Sequence, residues 1–354
     1  MGITIAPIDQ ADQAALDAAY RIRAAADERD VPDFPPLCRR RLEAGLRNPM
    51  PGIAPVWALA RWDGEPAGYL ALFLPQLDNT DNATADLFVH PAYRRRGVGR
   101  ALHAHGLGLL RARGRKRVVA MAVSGLPGGP RRDEAGDAFA AAVGARAALA
   151  VVRRRLHVDR LDRAALDVQA ADAASRAAGY RAVRWRDHTP EEYAADVAYL
   201  DSRLMADAPL GEVEWEPERV DVARLRETER GLDARGRRRY HHGAVHVASG
   251  RLVAWTLLDL GASVPWHAFQ QITIVDPAHR GHRLGLLVKS ENLRYALAHE
   301  PELRAVDTFN AAENAHMIRI NEQLGFRPVD AWTDWQLTLS SAVADPTVRC
   351  PAAA

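Results

Sequence analysis

Two loops rich in arginine and glycine are the segments of this chain whose residue types best suit chemistry. The first spans residues 89–99 and the second spans residues 275–285, and both begin with valine, any residue, proline and alanine. Each follows a predicted strand and opens a predicted helix, so backbone N–H groups and the positive end of the helix dipole face one point. Glycine lets the main chain approach a ligand closely, and arginine adds positive charge. The two loops therefore predict binding of an anion, most naturally a pyrophosphate.

The match between the two halves continues upstream of the loops. Gly64 corresponds to Gly250, and Tyr69 corresponds to Trp255, at the same interval that separates the loops. An internal duplication explains this register. The length of 354 residues also favours two domains, since about 150 residues is typical of one. We expect an N-terminal domain over 1–158, a linker over 159–178, a C-terminal domain over 179–342 and a tail over 343–354.

The pattern of apolar residues predicts the same kind of fold for both halves. Each half is expected to be a mixed α/β unit, with α+β elements around one mixed sheet. In the second half, residues 189–192 predict a capping box that opens a helix, and a further helix is expected to begin near Pro217. A hairpin with strands over 245–248 and 252–260 is expected to turn at Ser249 and Gly250.

The loops resemble the phosphate-binding signature of the GNAT superfamily, the Gcn5-related acetyltransferases that use acetyl-CoA. Arg94-x-x-Gly97-x-Gly99 matches that signature fully, whereas the second copy has Arg283 in place of its first glycine. The tandem arrangement is similar to that of mycothiol synthases. The resemblance implies two acyl-CoA N-acyltransferase domains with acetyl-CoA as cosubstrate, and it implies no metal.

The resemblance also assigns cofactor-binding positions. They are Val89, Arg94, Arg95, Arg96, Gly97, Gly99 and Arg100 in the first half, and Val275, Arg280, Gly281, His282, Arg283, Gly285 and Leu286 in the second. The second signature of the family is clear only in the second half, where it adds Asn310 and Asn314 to the cofactor-binding positions. It implies that Asn314 hydrogen-bonds the pantetheine arm and that Asn310 fixes the strand end or the acceptor. The first half has Asp133, Ala138 and Gly144 at the matching places. We therefore expect the second half to be the catalytic one.

The resemblance further implies roles in acyl transfer. The backbone N–H at Val275, or at Val89 in the first half, is expected to stabilise the oxyanion. Many relatives have a tyrosine that protonates the thiolate, but Ala140 and Asn321 stand at that position here, so water could supply the proton.

The amine also needs a general base, because an ammonium group has no lone pair. Candidate bases are Asp86, Glu214 and Glu216, and candidate substrate-binding residues are Asp207, Glu212 and Trp215. A solvated acidic loop is an equal alternative for the segment that holds Glu212 to Glu216.

Other polar residues suggest weaker interpretations. His241, His242 and His246 give a His-x-x-x-His spacing, but no third ligand is evident, so no metal is predicted. Lys289 is expected to be a solvated charge or a partner for a CoA phosphate. Cys38 and Cys350 are too few for a disulfide framework, and both are expected to be free thiols.

Composition narrows the class of protein. With 48% hydrophobic and 26% charged residues, the chain is typical of a globular protein. Arginine clusters could suggest nucleic acid, but a net charge of +2 argues against that partner. No apolar run or leader pattern predicts a membrane or secretory segment, so a cytoplasmic monomer or homodimer is expected. The function predicted is acetyl transfer to the primary amine of a small molecule, and the alternative is a CoA-binding protein without catalysis.

Overall fold

The structure, a computed structural model, describes residues 2–339. The strands are β1 (Ile3–Pro7), β2 (Ile53–Trp62), β3 (Glu65–Pro75), β4 (Asn82–Val89), β5 (Arg117–Gly125), β6 (Arg146–His157), β7 (Tyr180–Arg186), β8 (Arg237–His246), β9 (Leu252–Gly261), β10 (His267–Val275), β11 (Ala305–Ala311) and β12 (Arg327–Thr338). The helices are α1 (Gln13–Asp30), α2 (Arg39–Arg47), α3 (Val98–Ala112), α4 (Ala135–Ala142), α5 (Arg163–Ser175), α6 (Glu191–Asp207), α7 (Val222–Ala234), α8 (Leu284–His299) and α9 (Ala315–Gln323). Within this range, none of the helices is both long and apolar enough to cross a membrane.

One continuous mixed sheet runs through the whole molecule. Its strand order is β1-β2-β3-β4-β5-β12-β6-β11-β10-β9-β8-β7. Each half contributes a series of mostly antiparallel strands with one parallel pair, β4 with β5 and β10 with β11. The helices cover both faces and bury apolar residues against the sheet, which confirms the predicted fold class.

The two halves exchange their last strands. The final strand of the second half, β12, pairs with β5 of the first half, from Asp330 opposite Gly125 to Thr338 opposite Arg117. The final strand of the first half, β6, pairs with β11 of the second half. The two exchanged strands then pair with each other at the centre of the sheet. Each half of the sheet is therefore completed by a strand from the other half of the chain.

A buried layer of charged side chains lies across the exchanged strands β12 and β6 and the neighbouring β11. Arg153 on β6 binds Asp330 on β12 at 2.5 Å and Asp307 on β11 at 3.0 Å. Arg155 binds Asp307 at 2.6 Å, and Asp33 from the segment between α1 and α2 reaches both arginines. Burial alone would raise the pKa of Asp307, but hydrogen bonds from Arg155 and His267 hold it well below its usual value. The layer joins residues that are far apart in sequence.

The segment 159–178, predicted as a linker, contains α5. Leu166 and Ala173 of this helix pack in the core of the second half with Leu287 and Leu293 of α8. The boundaries at 158 and 179 stay predictions, and the exchange shows that they do not separate two independent sheets. The predicted tail over 343–354, with Cys350, lies outside the described residues.

Some predicted elements differ from the structure. The helix expected near Pro217 begins at Val222, because the Asp221 carboxylate caps it by accepting from the Arg224 N–H at 2.8 Å. The capping box over 189–192 is wrong, since Pro190 is the N-cap and the Thr189 N–H donates instead to Glu229 at 2.7 Å. Strand β8 starts at Arg237, well before the expected residue 245. The sequence interpretation included neither α4 nor β6.

Candidate active site

The two arginine-glycine loops have the same backbone conformation. In the first, Arg95 (φ +62°) and Gly97 (φ +88°) lie in the left-handed region, and in the second the equivalent residues Gly281 (φ +91°) and Arg283 (φ +54°) do so. Glycine and arginine have thus exchanged positions between the copies. The left-handed conformation costs an arginine a free energy on the order of 1 kcal/mol. The arginine at 283 therefore does not disturb the loop geometry, although the resemblance expects glycine there.

The first arginine of each loop joins the loop to the C-terminal end of a helix, α1 in the first half and α6 in the second. Arg94 Nε lies 3.3 Å from the Val89 carbonyl, and its guanidinium binds Asp30 at the end of α1 at 2.7 Å. Arg280 Nε likewise lies 3.3 Å from the Val275 carbonyl, and its guanidinium binds Asp207 at the end of α6 at 2.9 Å. Asp207, predicted to bind substrate, is therefore already committed to holding the second loop.

The parallel strands before and after each loop helix separate from one another. In the second half β10 and β11 pair only from His267 opposite Ala305 to Gln270 opposite Thr308. In the first half β4 and β5 pair only over three positions that begin with Asn82. Beyond these pairs a V-shaped opening forms in each half of the sheet.

The register shows which N–H groups face the opening in the second half. The Asp276 N–H donates to the Val253 carbonyl at 2.8 Å, and Val275 lies opposite Ala254. Since hydrogen-bonded and non-hydrogen-bonded pairs alternate in an antiparallel ladder, the Val275 N–H points away from β9 and into the opening. The Thr273 N–H, two residues earlier, points the same way. Val275 is thus placed as predicted for an oxyanion donor, and Thr273 is a second donor that sequence reasoning missed.

A bulge is present in β10 and not in the matching pair of β3 with β4. The register of β10 with β9 shifts between Gln270 and Thr273. Thr256 Oγ1 donates to the buried carbonyl of Ile272 at 2.9 Å, and Gln270 Nε2 donates to it at 3.1 Å. The β3–β4 pair keeps one register over its whole length. The second half therefore has a distorted, side-chain-supported strand beside its opening.

A cavity of about 1280 Å³ lies beside this opening. Its wall includes the second loop through Gly281, Arg283 and Gly285, and it includes Val275 and Asn310 from the two separated strands. The first half also contributes to the wall, through Arg41, Met50, Met121, Leu149 and Val151. The cavity thus combines the predicted phosphate loop of the second half with side chains from both halves.

Three polar side chains form a hydrogen-bonded chain that links two residues of the cavity wall, Lys289 and Asn310, through the buried Asn321. Lys289 on α8, which is 1% exposed, donates to Asn321 Oδ1, and Asn321 Nδ2 donates to Asn310 Oδ1 at 2.6 Å. Because a protonated lysine can only donate, it fixes the orientation of both amides, and within residues 2–339 the Asn310 Nδ2 group is left as the free donor. Lys289 is therefore not a solvated charge, and burial lowers its pKa to about 7.

The predicted acidic residues lie elsewhere. Glu212 pairs with Arg146, and Glu214 binds Arg117 at 2.6 Å. The Glu216 backbone N–H donates to Asn79 at 2.7 Å, and Trp215 Nε1 donates to Glu218 at 3.5 Å. The loop that carries these residues crosses to the first half and packs against its strands, and none of the four residues lines the cavity described above. The side chains of Glu212 and Glu214 are exposed, which favours the alternative of a solvated acidic loop.

Asp86 is also engaged with a neighbour. It lies 3.6 Å from Arg23 of α1, in the first half of the molecule. Two carboxylates of α6 line the cavity, the predicted Asp207 and, six residues earlier, Asp201. The environment of Asp201 differs from that of Asp207. Burial and the nearby Glu218 raise the pKa of Asp201 to about 6, against the opposing charge of Arg224. Sequence reasoning missed Asp201, whose helix offered no motif.

The remaining predicted residues have varied environments. Arg95, Arg96 and Arg100 are exposed, and the Arg96 guanidinium lies 5.8 Å from the Trp62 ring. The ring of His282 lies 5.3 Å from that of Tyr180, and Leu286 is buried in the core. Asn314 caps α9 by accepting from the Met317 N–H at 3.2 Å, so its oxygen is occupied.

His241 is buried between two tryptophans. Its ring stacks on Trp185 at 5.1 Å and on Trp255 at 6.0 Å, and Trp255 Nε1 donates to His241 Nδ1 at 3.1 Å. Burial, with Arg239 nearby, lowers its pKa to about 3. Within residues 2–339 no group of three or more potential ligands is arranged to hold a metal ion.

Comparison with known proteins identifies the family. The model of the Acetyltransferase (GNAT) family matches residues 18–125. A solved tandem GNAT protein from the clavulanic acid biosynthesis pathway is 36% identical, with a TM-score of 0.82, over 96% of this chain and 99% of that one. The chain belongs to the GNAT family, and it is a tandem N-acetyltransferase.

More distant structures share the fold. A GCN5-related N-acetyltransferase from Sphaerobacter thermophilus is 16% identical with a TM-score of 0.63, covering 95% of this chain and 96% of that one. A glucosamine N-acetyltransferase region of a fungal multi-domain β-N-acetylglucosaminidase is 14% identical with a TM-score of 0.64, covering 95% of this chain and 38% of that one. A search of curated proteins gave no match. The similarity to mycothiol synthases stays a prediction.

Proposed function

We propose that the second half of this tandem acetyltransferase moves an acetyl group from acetyl-CoA to the primary amine of a small molecule. The observation that carries the proposal is the cavity of about 1280 Å³, which joins the second loop to the opening between β10 and β11. The tandem relative belongs to the biosynthesis of a small molecule, which supports a small acceptor. The cytoplasmic location and the choice between monomer and homodimer stay predictions.

The residues of the second half fit acetyl-CoA as cosubstrate. The N–H groups at the start of α8 and the exposed Arg283 suit the phosphates. A Cβ atom added at Gly285 would lie 3.6 Å from Ile320 and 3.7 Å from Val275, so the glycine keeps a narrow space between the loop helix, α9 and β10. The opening between the strands suits the pantetheine arm, whose thioester would then meet the free N–H groups of Val275 and Thr273.

The cavity supplies groups for each step of acyl transfer. Asp201 takes a proton from the ammonium group, and the freed amine nitrogen attacks the thioester carbon. The negative charge that develops on the carbonyl oxygen is stabilised by the N–H of Val275 or Thr273. The carbon–sulfur bond then breaks, the nitrogen releases its second proton to water, and the sulfur leaves as a thiolate toward the donor on Asn310. No tyrosine is required, because the thiolate of CoA is a stable leaving group and water protonates it.

The test compares matched glycines in the two loops. Gly285→Glu places a carboxylate beside the phosphates, so acetyl transfer should fall at least ~100-fold, and one acetyl-CoA site should disappear in calorimetric titration. Gly99→Glu makes the same change in the first loop and should remove the first-half site while leaving most of the activity.

Two results would contradict the proposal. Loss of activity from Gly99→Glu alone would place catalysis in the first half. Acetyl-CoA binding without release of CoA for any amine in a broad panel would favour the alternative, a CoA-binding protein without catalysis.

A further inference from the structure

Three arginines line the part of the cavity that is farthest from the phosphate loop. Arg41 comes from α2 of the first half, Arg235 follows α7, and Arg237 begins β8. The neighbouring Arg40 holds α2 beside α7, because its Nε donates to the Ala234 carbonyl at the end of α7 at 2.7 Å. The first half is thereby fixed against the wall of the cavity in the second half.

The positive charge of this cluster is not balanced by carboxylates. Arg237 binds Asp259 through Nε at 2.9 Å, and Asp259 also accepts from Gln271 at 3.1 Å. Arg235 donates to the Gly231 carbonyl at 2.9 Å, which is a neutral partner. Among residues 2–339, neither Arg41 nor Arg235 forms an ion pair. One carboxylate thus faces three guanidinium groups.

The arginines also repel one another. Burial and the charge of Arg237 lower the pKa of Arg41, against the opposite effect of Asp259, while Arg23 and Asp86 act more weakly in opposite directions. Burial and Arg41 lower the pKa of Arg235. Like charges held in a partly desolvated wall destabilise the protein unless an anion joins them.

The sheet register separates this cluster from the phosphate loop. Arg237 lies opposite Gly261, at the end of β9, and Leu260 lies opposite Ala268, at the start of β10. The second loop follows Val275, at the other end of β10. Seven residues of strand at about 3.3 Å each place the two ends roughly 20 Å apart. An anion at the cluster is therefore a different group from the pyrophosphate.

We propose that Arg41, together with Arg235 and Arg237, binds a carboxylate of the acceptor, so that the substrate class is small amines with an acidic group at the far end. This inference rests on the function proposed above. The amine would face the thioester beside Thr273 while the carboxylate points toward the start of β10, where the arginines lie. This fixes the direction in which the acceptor lies in the cavity.

The experiment uses ω-amino acids from β-alanine to 6-aminohexanoate, each beside its neutral primary amide. The wild-type enzyme should prefer at least one amino acid over its amide by ~10-fold or more in kcat/KM. Arg41→Gln should abolish that preference by raising the KM for the acid, with the KM for acetyl-CoA unchanged. Arg39→Gln is the matched control, because Arg39 lies on the same helix, packs over Tyr20 at 4.4 Å and pairs with Asp17 outside the cavity.

The outcomes separate this inference from the proposed function. Equal use of acids and amides by the wild type would overturn the inference while acetyl transfer stands. A rise in the KM for acetyl-CoA in Arg41→Gln would assign the cluster to a phosphate of the cosubstrate and would also overturn it.

If no amine is acetylated, a binding measurement tests the carboxylate site directly. Glutarate titrated into the full chain by calorimetry should bind the wild type, and it should bind Arg41→Gln at least ~10-fold more weakly. Equal binding, or none to either protein, would refute the carboxylate site. Failure of acetyl-CoA itself to bind in the same instrument would refute the proposed function instead.

Discussion

Among residues 2–339, no carboxylate lies beside the buried amine of Lys289. Its neighbours are the amide of Asn321 and the ring of Phe326, whose centre lies 5.2 Å from Nζ, and both are uncharged. Burial alone lowers its pKa from 10.5 to about 7. A methionine would fill the same space without that cost, so the lysine is best explained by the orientation that it imposes on Asn321 and Asn310.

Replacing Lys289 should therefore raise stability and lower activity. A lysine whose folded pKa is depressed to about 7 costs stability in full below pH 7, because the protein must bury the charged form. The cost disappears as the pH rises to 10.5, and each pKa unit corresponds to about 1.4 kcal/mol. Lys289→Met should gain ~2 kcal/mol or more at pH 6 in denaturant unfolding, after loss of one hydrogen bond, and the gain should shrink at pH 9. Its kcat should fall while the KM for acetyl-CoA changes little, because Asn310 is no longer held as a donor.

The other lysine of the chain provides the control. Lys116 is exposed and binds Asp81 at 2.8 Å, so Lys116→Met should change stability by less than ~0.5 kcal/mol and leave kcat unchanged. An unchanged kcat in Lys289→Met would show that the amide orientation does not serve the reaction.

Asp201 should set the acidic side of the pH profile. A carboxylate accepts a proton only when ionised, so kcat should fall as the pH drops through about 6, where the pKa of Asp201 lies. Asp201→Asn should lower kcat by ~10²-fold or more and remove that inflection. Asp207→Asn makes the same change six residues later on α6, and it should instead raise the KM for acetyl-CoA through Arg280. A wild-type inflection that persists in Asp201→Asn would assign the base to another group.

At the scale of elements, the exchanged strands depend on their charged layer. Adjacent arginines on β6 provide a test, because Arg153 is paired and Arg154 is not. Arg153 binds two buried aspartates, whereas Nε and Nη1 of the buried Arg154 have no hydrogen-bond partner in the described part of the chain. Burial lowers the pKa of Arg154, as expected for a cation without compensation, with Glu322 only partly opposing this effect.

The two arginines should respond in opposite ways to the same substitution. Arg153→Met leaves Asp330 and Asp307 with less compensation and should lose about 3–5 kcal/mol of unfolding free energy. Arg154→Met removes an uncompensated charge and should be neutral or stabilising. Urea unfolding of both variants checks this, and similar losses in the two would show that packing, not charge, holds the strand in place.

Local elements were predictable where periodicity and capping residues carried the information, as with α8 after the second loop. Strand β6 was not, because its run from Arg153 to Arg155 has the composition of a solvated surface. The aspartates that neutralise it, Asp307 and Asp330, are more than 150 residues away in the chain, and only the strand pairing brings them there. The acidic residues around Glu214 failed as site predictions for the same reason, since their partners lie in the other half of the chain.

At the scale of the whole molecule, the two halves have become unequal. The second half has the bulged strand β10 and the cavity, while the first half supplies Arg41, Met121 and Leu149 to the cavity wall. The loops remain alike in backbone, so the difference lies around them and not in them. The strand exchange makes this cooperation obligatory, because neither half can close its sheet in the native arrangement without the other.

If the chain is cut between the halves, the two pieces should therefore stay associated and folded. Asp159 and Arg160 are exposed between β6 and α5. Cleavage at a protease site inserted there breaks the covalent connection between β6 and the second half of the chain. Because β6 remains between β11 and β12, and β12 remains beside β5, the two pieces should elute as one particle and keep acetyl transfer. The two pieces should separate only in denaturant. In Arg153→Met they should separate at a lower denaturant concentration than in the wild type. Pieces that separate in plain buffer would show that the exchanged strands contribute little to holding the halves together, and that the cavity depends on the covalent connection instead.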